Sequence, residues 1–420
     1  MWRVLASAVL TSAVLAGVVG LSGGSAAVAR GSGHPARDQV TAVSVAPSIS
    51  PVPVQGTDGR IHMPYELLLV NFGTDPATID SVRALDRAHP ARVLDSLSGS
   101  QVASHFAVAQ IATAPGPQAV LGPGQEGIVW LDATVPSWAD VPRTIVHRVR
   151  VTFPTGQAGG LVPADVTVTV APTAVSRLPA PVVAPPLAGT RWFDANGCCQ
   201  IVTAHRGSVN PLDGRTNFPE RSAIDFIKLD DHDRLFTGPA TRISSYRYYG
   251  TPVTAAADGE VVELRDGLPD QVPTIEPPLG GLPLADFAGN HVIERFTYQG
   301  HTYYALYAHM KPGSVRAHVR LGEHLRVGQQ VGQLGNSGNS AAPHLHFQVM
   351  DRPSALASQG IPYAFDRFLL RGRAASEDVV TDVLAGRRFT YARGVRPKPQ
   401  RCRLPLYLDL VDFPRTARPW

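Results

Sequence analysis

Apolar and polar positions alternate most cleanly over Asp165-Val166-Thr167-Val168-Thr169-Val170, where every second residue is valine. A period of two places alternate side chains on opposite faces of an extended chain, so this stretch predicts a half-buried strand. Three further runs share the pattern or its fully buried variant: Tyr65 to Phe72, Gly127 to Asp132 and Thr144 to Phe153. Gly73-Thr74-Asp75-Pro76 closes the first and Leu121-Gly122-Pro123-Gly124 leads into the second. Short strands at this spacing, separated by such turns, predict an antiparallel β-sandwich of immunoglobulin-like type over residues 51–171. A flexible lead-in, residues 30–50, precedes it. His62, His89, His105 and His147 are scattered through this region and are expected on its surface.

Beyond a proline-rich linker, residues 172–190, strand patterns resume. They cover Pro252 to Leu264, His291 to Phe296, His301 to Met310, Leu321 to Gly332 and Ala342 to Met350. The expected fold class is therefore mainly β, with a second antiparallel domain over 191–375. A C-terminal extension, 376–420, contains a short helix at Glu377 to Leu384 and a strand at Leu404 to Val411.

The N-terminus changes the picture of where the chain works. One positive charge at Arg3, an apolar stretch from Val4 to Leu21 and the Ala27-Val28-Ala29 triplet form a secretory signal pattern, with cleavage expected after Ala29. The expected location is secreted or in the cell envelope. Three cysteines, Cys198, Cys199 and Cys402, suit an exported chain in which Cys198 or Cys199 bridges to Cys402. The net charge of +4 is mild, and no basic run is interleaved with aromatics, so nucleic acid is not an expected partner. A pI near 9.0 leaves attraction to an anionic wall polymer open.

Candidate chemistry gathers in the second domain. In Pro343-His344-Leu345-His346-Phe347, alternation points both imidazoles to one side of a strand, a useful half of a metal site. His309 ends another apolar strand. Asp225 lies inside the apolar Ala223-Ile224-Asp225-Phe226, where a carboxylate needs a metal or a hydrogen-bond network to offset its burial. The Gly335 to Ser340 loop fits no nucleotide-binding glycine pattern and reads as the wall of a groove.

These segments occur in a fixed order: Ala223 to Phe226, Gly250 to Val262, Gly289 to Ile293, Tyr307 to Met310, Val327 to Gly338 and Pro343 to Phe347. In that order they resemble the M23 (lysostaphin/LytM-type) peptidases, zinc endopeptidases that cut peptidoglycan cross-links. The resemblance covers roughly residues 200–350. It implies a zinc cofactor, a peptidoglycan peptide as substrate, Asp225 and His346 as zinc ligands, and His309 and His344 beside the scissile bond. One of that pair would take a proton from the attacking water, and the other would stabilise the oxyanion.

One position departs from the family pattern. Where the first histidine ligand of H-x-G-x-D is expected, this chain has Arg221, and a guanidinium has no lone pair to give. Actinobacterial M23-like proteins with the same R-x-A-I-D form also resemble this chain around Asn196-Gly197-Cys198-Cys199 and His205-Arg206. His205 is therefore the candidate third ligand, with His291 and His232 as the other candidates. Two loops, Lys228 to Tyr249 with Tyr246, Tyr248 and Tyr249, and Asp266 to Ala288, exceed what a minimal core needs and either shape substrate binding or pack internally. The expected function is an exported zinc metalloendopeptidase, held to a wall polymer or envelope protein by the sandwich. The rival is a non-catalytic LytM-like module that binds peptidoglycan or activates another hydrolase.

Overall fold

The computed structural model describes residues 38–110, 114–278 and 280–414. The proposed signal segment lies outside these residues. From Val40 onward the chain forms one compact unit. Among the described residues, no helix is long and apolar enough to cross a membrane.

The chain is mainly β. Its N-terminal half contains a pair of antiparallel sheets that share one core. The first runs Val43–Pro47, Ile61–Asn71, Glu126–Val135, Phe106–Val108, with Val54–Gln55 beside Ile61–Asn71. The second runs Asp165–Ala174, Thr144–Thr152, Ala77–Asp86, Val93–Ser98, with Val120–Leu121 beside Ala77–Asp86. Tyr65, Leu67 and Leu69 from one sheet meet Val149, Val151 and Val166 from the other. The lead-in thus supplies a strand, Val43–Pro47, that pairs with Leu67 to Asn71.

Two histidines expected on the surface of this region are buried. His147 shares the inward face of its strand with Ile145, Val149 and Val151, so the strand's own alternation places it inside. His62 lies on the opposite face of its strand from the sandwich core, and that face is covered too, because residues 61–67 are all buried. His89 remains exposed and His105 is half-buried.

The C-terminal half is built on an 11-stranded sheet. Its central order is Ala364–Arg373, Asp409–Phe413, Gly189–Asp194, Ile224–Lys228, Leu345–Met350, His301–Met310, Asn290–Tyr298, Gly259–Arg265. One face packs Phe226, Leu345, Phe347, Tyr307 and Val292 into the larger core. The opposite face of the three middle strands carries the candidate site.

Three expectations about connecting segments need correction. The 172–190 segment is no free spacer: Asp165–Ala174 runs into it, and Val182–Val183 pairs in parallel with Ala364–Phe365. Val183 and Leu187 are buried in the larger core because the prolines fix an extended path that leaves these apolar side chains facing the sheet. The C-terminal strand is Asp409–Phe413, not Leu404 to Val411, and it lies in the interior of the sheet. Leu410, Val411 and Phe413, all buried, explain that choice over the proline-broken Leu404-Pro405. Finally, Cys198 is bonded to its neighbour Cys199, and Cys402 is free and exposed. Cys198 and Cys199 are buried, whereas the Cys402 side chain is open to solvent.

Candidate metal centre

Register assembles the strand-borne half of the site. In the antiparallel pairing of Ile224–Lys228 with Leu345–Met350, Asp225 stands directly opposite His346. On the other side of that strand, His346 stands opposite Ala308 of His301–Met310. Directly opposed residues project from the same face, so Asp225 and His346 are obligatory neighbours. His346 Nδ1 lies 3.1 Å and His344 Nε2 lies 3.2 Å from Asp225 Oδ1.

His309 reaches the group by a different device. Alternation alone would place it opposite to Ala308, but the pairing with Asn290–Tyr298 is irregular between Asn290 and Val292, and His309 adopts φ 62°. Such a bulge re-aims a side chain, and a left-handed non-glycine residue is costly enough to persist only where its surroundings enforce it. Here they do. The His309 N–H donates to Ala288 O at 3.0 Å, and His309 Nδ1 meets Ser337 O at 2.8 Å. Its ring centroid is 4.7 Å from that of His344 and 5.8 Å from that of His346.

The Gly335 to Ser340 loop, expected as a groove wall, is a mostly buried support for His309. Gly289 has φ +64°, and a β-carbon there would stand 2.4 Å from Ser337 O, the atom that holds the His309 ring. Close backbone approach therefore demands glycine at this position. The long loops are largely open to solvent, but Tyr246 and Tyr248 of the first are buried. Tyr248 donates to Pro343 O at 2.7 Å and Tyr249 donates to Asp270 Oδ2 at 2.5 Å, so these tyrosines brace the loop that precedes His344.

His205 completes the group from a segment without regular structure. Its Nε2 lies 3.2 Å from Asp225 Oδ2, and its Nδ1 meets Ala223 O at 3.2 Å. His291 and His232 are elsewhere. His291 is held between Gly289 O and Glu263, and His232 sits in an exposed turn beside Asp230. Arg221 points away from the site, into a buried ion pair with Glu66 at 2.7 Å.

Each imidazole has one nitrogen occupied by an oxygen at the back. For His346 it is Gln348 Oε1 on Nε2, at 2.7 Å; for His344 it is Ala342 O on Nδ1, at 2.8 Å. With its rear nitrogen as donor, His346 presents a lone pair to the centre, which is how outer contacts set the tautomer of metal-binding histidines. Asn196 donates to Asp225 Oδ2 at 2.9 Å and fixes the carboxylate. Neither Asn196 nor Gln348 was singled out by sequence reasoning. Gln348 could have been, since a period of two puts it on the same face as His346.

The electrostatics describe a carboxylate under demand. Burial would raise the Asp225 carboxyl, but the His205 and His344 imidazoles overcome it and hold the group well below the usual carboxylate range. Burial opposes charge on His205 too, yet Asp225 pushes it up to about 9, and His344 is raised for the same reason. His309 is driven the other way, first by burial and then by its neighbours His344 and His346, so it stays neutral.

The donor set fits zinc. His205, Asp225 and His346 each offer one atom within 4.8 Å of the other two. Nitrogen and oxygen ligands bound tetrahedrally to zinc stand about 3.3 Å apart; His205 lies 3.2 Å from Asp225 Oδ2 and His346 lies 3.1 Å from Asp225 Oδ1. A second cluster, His62, Asp132 and Cys199, has the proximity but not the chemistry. The Cys199 sulfur is tied up in a disulfide and His62 already pairs with Asp132 and Asp58.

Residues 242–358 match the model of peptidase family M23. The chain carries an M23 peptidase domain. His309, His344 and His346 fall inside the matched stretch, whereas Asp225 and His205 precede it. Among curated relatives of this chain, peptidoglycan DD-endopeptidase ShyA of Vibrio cholerae is 31% identical over 117 residues, 27% of this chain and 21% of that protein. Peptidoglycan DD-endopeptidase ShyC of the same organism is 33% identical over 101 residues, 24% of this chain and 18% of that one. The match thus spans about a fifth of the length of each relative. Solved structures similar to this chain include the catalytic domain of lysostaphin from Staphylococcus simulans, at 21% identity and a TM-score of 0.20, covering 40% of this chain and 84% of that one. Another is a zinc-containing peptidase from Vibrio cholerae, at 14% identity and a TM-score of 0.20, covering 73% of this chain and 83% of that one.

Proposed function

We propose that this protein is an exported zinc metalloendopeptidase that hydrolyses peptide bonds of peptidoglycan. The observation that carries the proposal is the convergence of His205, Asp225 and His346, with His309 and His344 packed ring against ring beside them. Its setting in an M23 domain, and the peptidoglycan endopeptidase names of the relatives, supply the substrate class. Export rests on the signal pattern that ends at Ala29.

Zinc, when bound, supplies Lewis acidity toward the peptide carbonyl and acidifies a water molecule. His205, Asp225 and His346 hold the cation, and Asn196 and Gln348 keep two of those ligands turned inward. His309, buried and neutral with Nδ1 on Ser337 O, keeps a lone pair on Nε2 that can take a proton from water near neutral pH. His344, drawn toward its protonated form by Asp225 despite burial, carries an Nε2–H that lies 3.2 Å from Asp225 Oδ1 and would serve the developing oxyanion once a cation takes up that carboxylate's charge. The arginine at 221 was the feature that favoured a non-catalytic module. With His205 against Asp225, its presence no longer implies an incomplete ligand set.

The test is digestion of cross-linked sacculi by the purified, zinc-loaded protein, with the products identified by mass spectrometry. Cross-linked muropeptides should be converted to uncrosslinked ones, and His346→Ala should release none. Intact cross-links after prolonged incubation with the wild-type protein would overturn the proposal.

A further inference from the structure

Of the three proposed ligands, His205 is the one that no sheet strand carries. Residues 195–209 contain no helix or strand, so something other than a ladder must hold this ring against Asp225. The answer lies one residue on. The Arg206 side chain is 1% exposed, donating from Nη1 to Glu66 Oε1 at 2.9 Å and from Nη2 to Leu131 O at 2.9 Å. Glu66 and Leu131 both belong to the sandwich.

The same carboxylate grips the other end of the segment. Arg221 donates to Glu66 from Nε at 3.0 and 3.1 Å and from Nη2 at 2.7 Å, and its Nη1 reaches Gly360 O at 2.8 Å. Glu66 is fully buried, and Ser48 donates to its Oε2 at 2.7 Å. Arg206 follows His205, and Arg221 lies four residues before Asp225. One buried glutamate therefore clamps both arms of the loop that brings the two ligands together. Apolar packing seals the clamp: Trp130 and Leu68 of the sandwich meet Val202, Val209 and Phe218 of the loop.

We infer that Glu66 is a positioning residue for the metal centre: by holding Arg206 and Arg221 it fixes His205 against Asp225, so the sandwich completes a site that the M23 domain alone leaves open. The inference rests on the reading of His205, Asp225 and His346 as zinc ligands. Its physical basis is the cost of a buried charge without its partner. Without the carboxylate, two buried guanidiniums face each other uncompensated and must move apart or admit water, and His205 moves with Arg206. Partners of this outer kind typically change metal affinity by about 10- to 100-fold.

Zinc affinity of the full-length protein, measured by competition with a chromophoric chelator, tests the inference alongside far-UV circular dichroism. Glu66→Gln should bind zinc at least about tenfold more weakly than wild type, with an unchanged spectrum. Thr57→Val, which removes a sandwich contact to Asp409 elsewhere on the same interface, should leave the affinity unaltered. In a His205→Ala background, Glu66→Gln should cause no additional loss, because both changes remove the same ligand. Wild-type affinity in Glu66→Gln, or losses that simply add, would overturn the inference. Absence of zinc binding by wild type would instead defeat the metal reading itself. If Glu66→Gln does not fold, Arg206→Met, which keeps the Glu66–Arg221 pair, carries the same comparison with the same outcomes.

Discussion

The sandwich and the candidate metal centre treat buried histidines in opposite ways. In the sandwich, His147 has Nε2 on the Tyr65 hydroxyl at 2.6 Å and Nδ1 on Ala171 O at 2.9 Å. His62 has Nδ1 on Asp132 at 2.7 Å and Nε2 on Asp58 at 3.1 Å. Both nitrogens of each ring are spent on fixed partners. In the C-terminal half, His205, His344 and His346 each spend one nitrogen on an oxygen behind and turn the other to Asp225. One carboxylate can balance one imidazolium, not three. Three ring nitrogens around a single carboxylate leave a place for a cation, whereas two carboxylates around one ring leave none. The difference teaches that a buried histidine declares its role by the nitrogen it has to spare.

This contrast predicts separable consequences. The largest concern the two histidines that flank the proposed metal ligands. His309→Ala and His344→Ala should each lower kcat by about 10²- to 10⁴-fold while one zinc per chain is retained. Steady-state hydrolysis of a cross-linked muropeptide, with metal analysis of the same samples, checks both halves of that statement. A variant that loses its zinc would place the residue among the ligands instead.

Smaller effects are expected from the sandwich histidines, and they fall on stability. Burial lowers His147 to about 4, so its contribution is complete above the ordinary value of 6.5 and is lost as pH falls from there toward 4. Despite burial, Asp132 and Asp58 raise His62 to about 10, so its contribution is complete below pH 6.5 and is lost as pH rises through about 10. Each amounts to roughly 3–5 kcal/mol at its limit. Urea midpoints across pH 4–10 should show the acid limb shrink in His147→Phe and the alkaline limb shrink in His62→Gln. His147→Phe should hydrolyse substrate at the wild-type rate at pH 7. A His147→Phe protein that is folded but inactive would break the distinction between the halves.

What local pattern could reveal tracks the same division. Asp225, His346 and Gln348 lie on neighbouring antiparallel strands, where a period of two and direct pairing fix which side chains share a face. His309 was legible as the end of a strand, but not as a residue forced to positive φ by a bulge, because that depends on Ala288 and Ser337. The burial of His62 and Glu66 was not legible at all. The run Tyr65 to Phe72 reads as a sandwich strand with one covered face, whereas the strand extends back to Ile61 and docking of the C-terminal half covers its other face. Likewise Arg221 showed by its chemistry what it could not do. What it does depends on Glu66, 155 residues earlier, and no periodicity encodes a pairing at that distance.

The proposed metal centre depends on His205 filling the place that Arg221 cannot. Metal content of the full-length protein after exhaustive dialysis, for wild type and His205→Ala side by side, tests this most directly. One zinc per chain in wild type and none retained by a folded His205→Ala is the predicted result. A folded His205→Ala that keeps its zinc as firmly as wild type would contradict it.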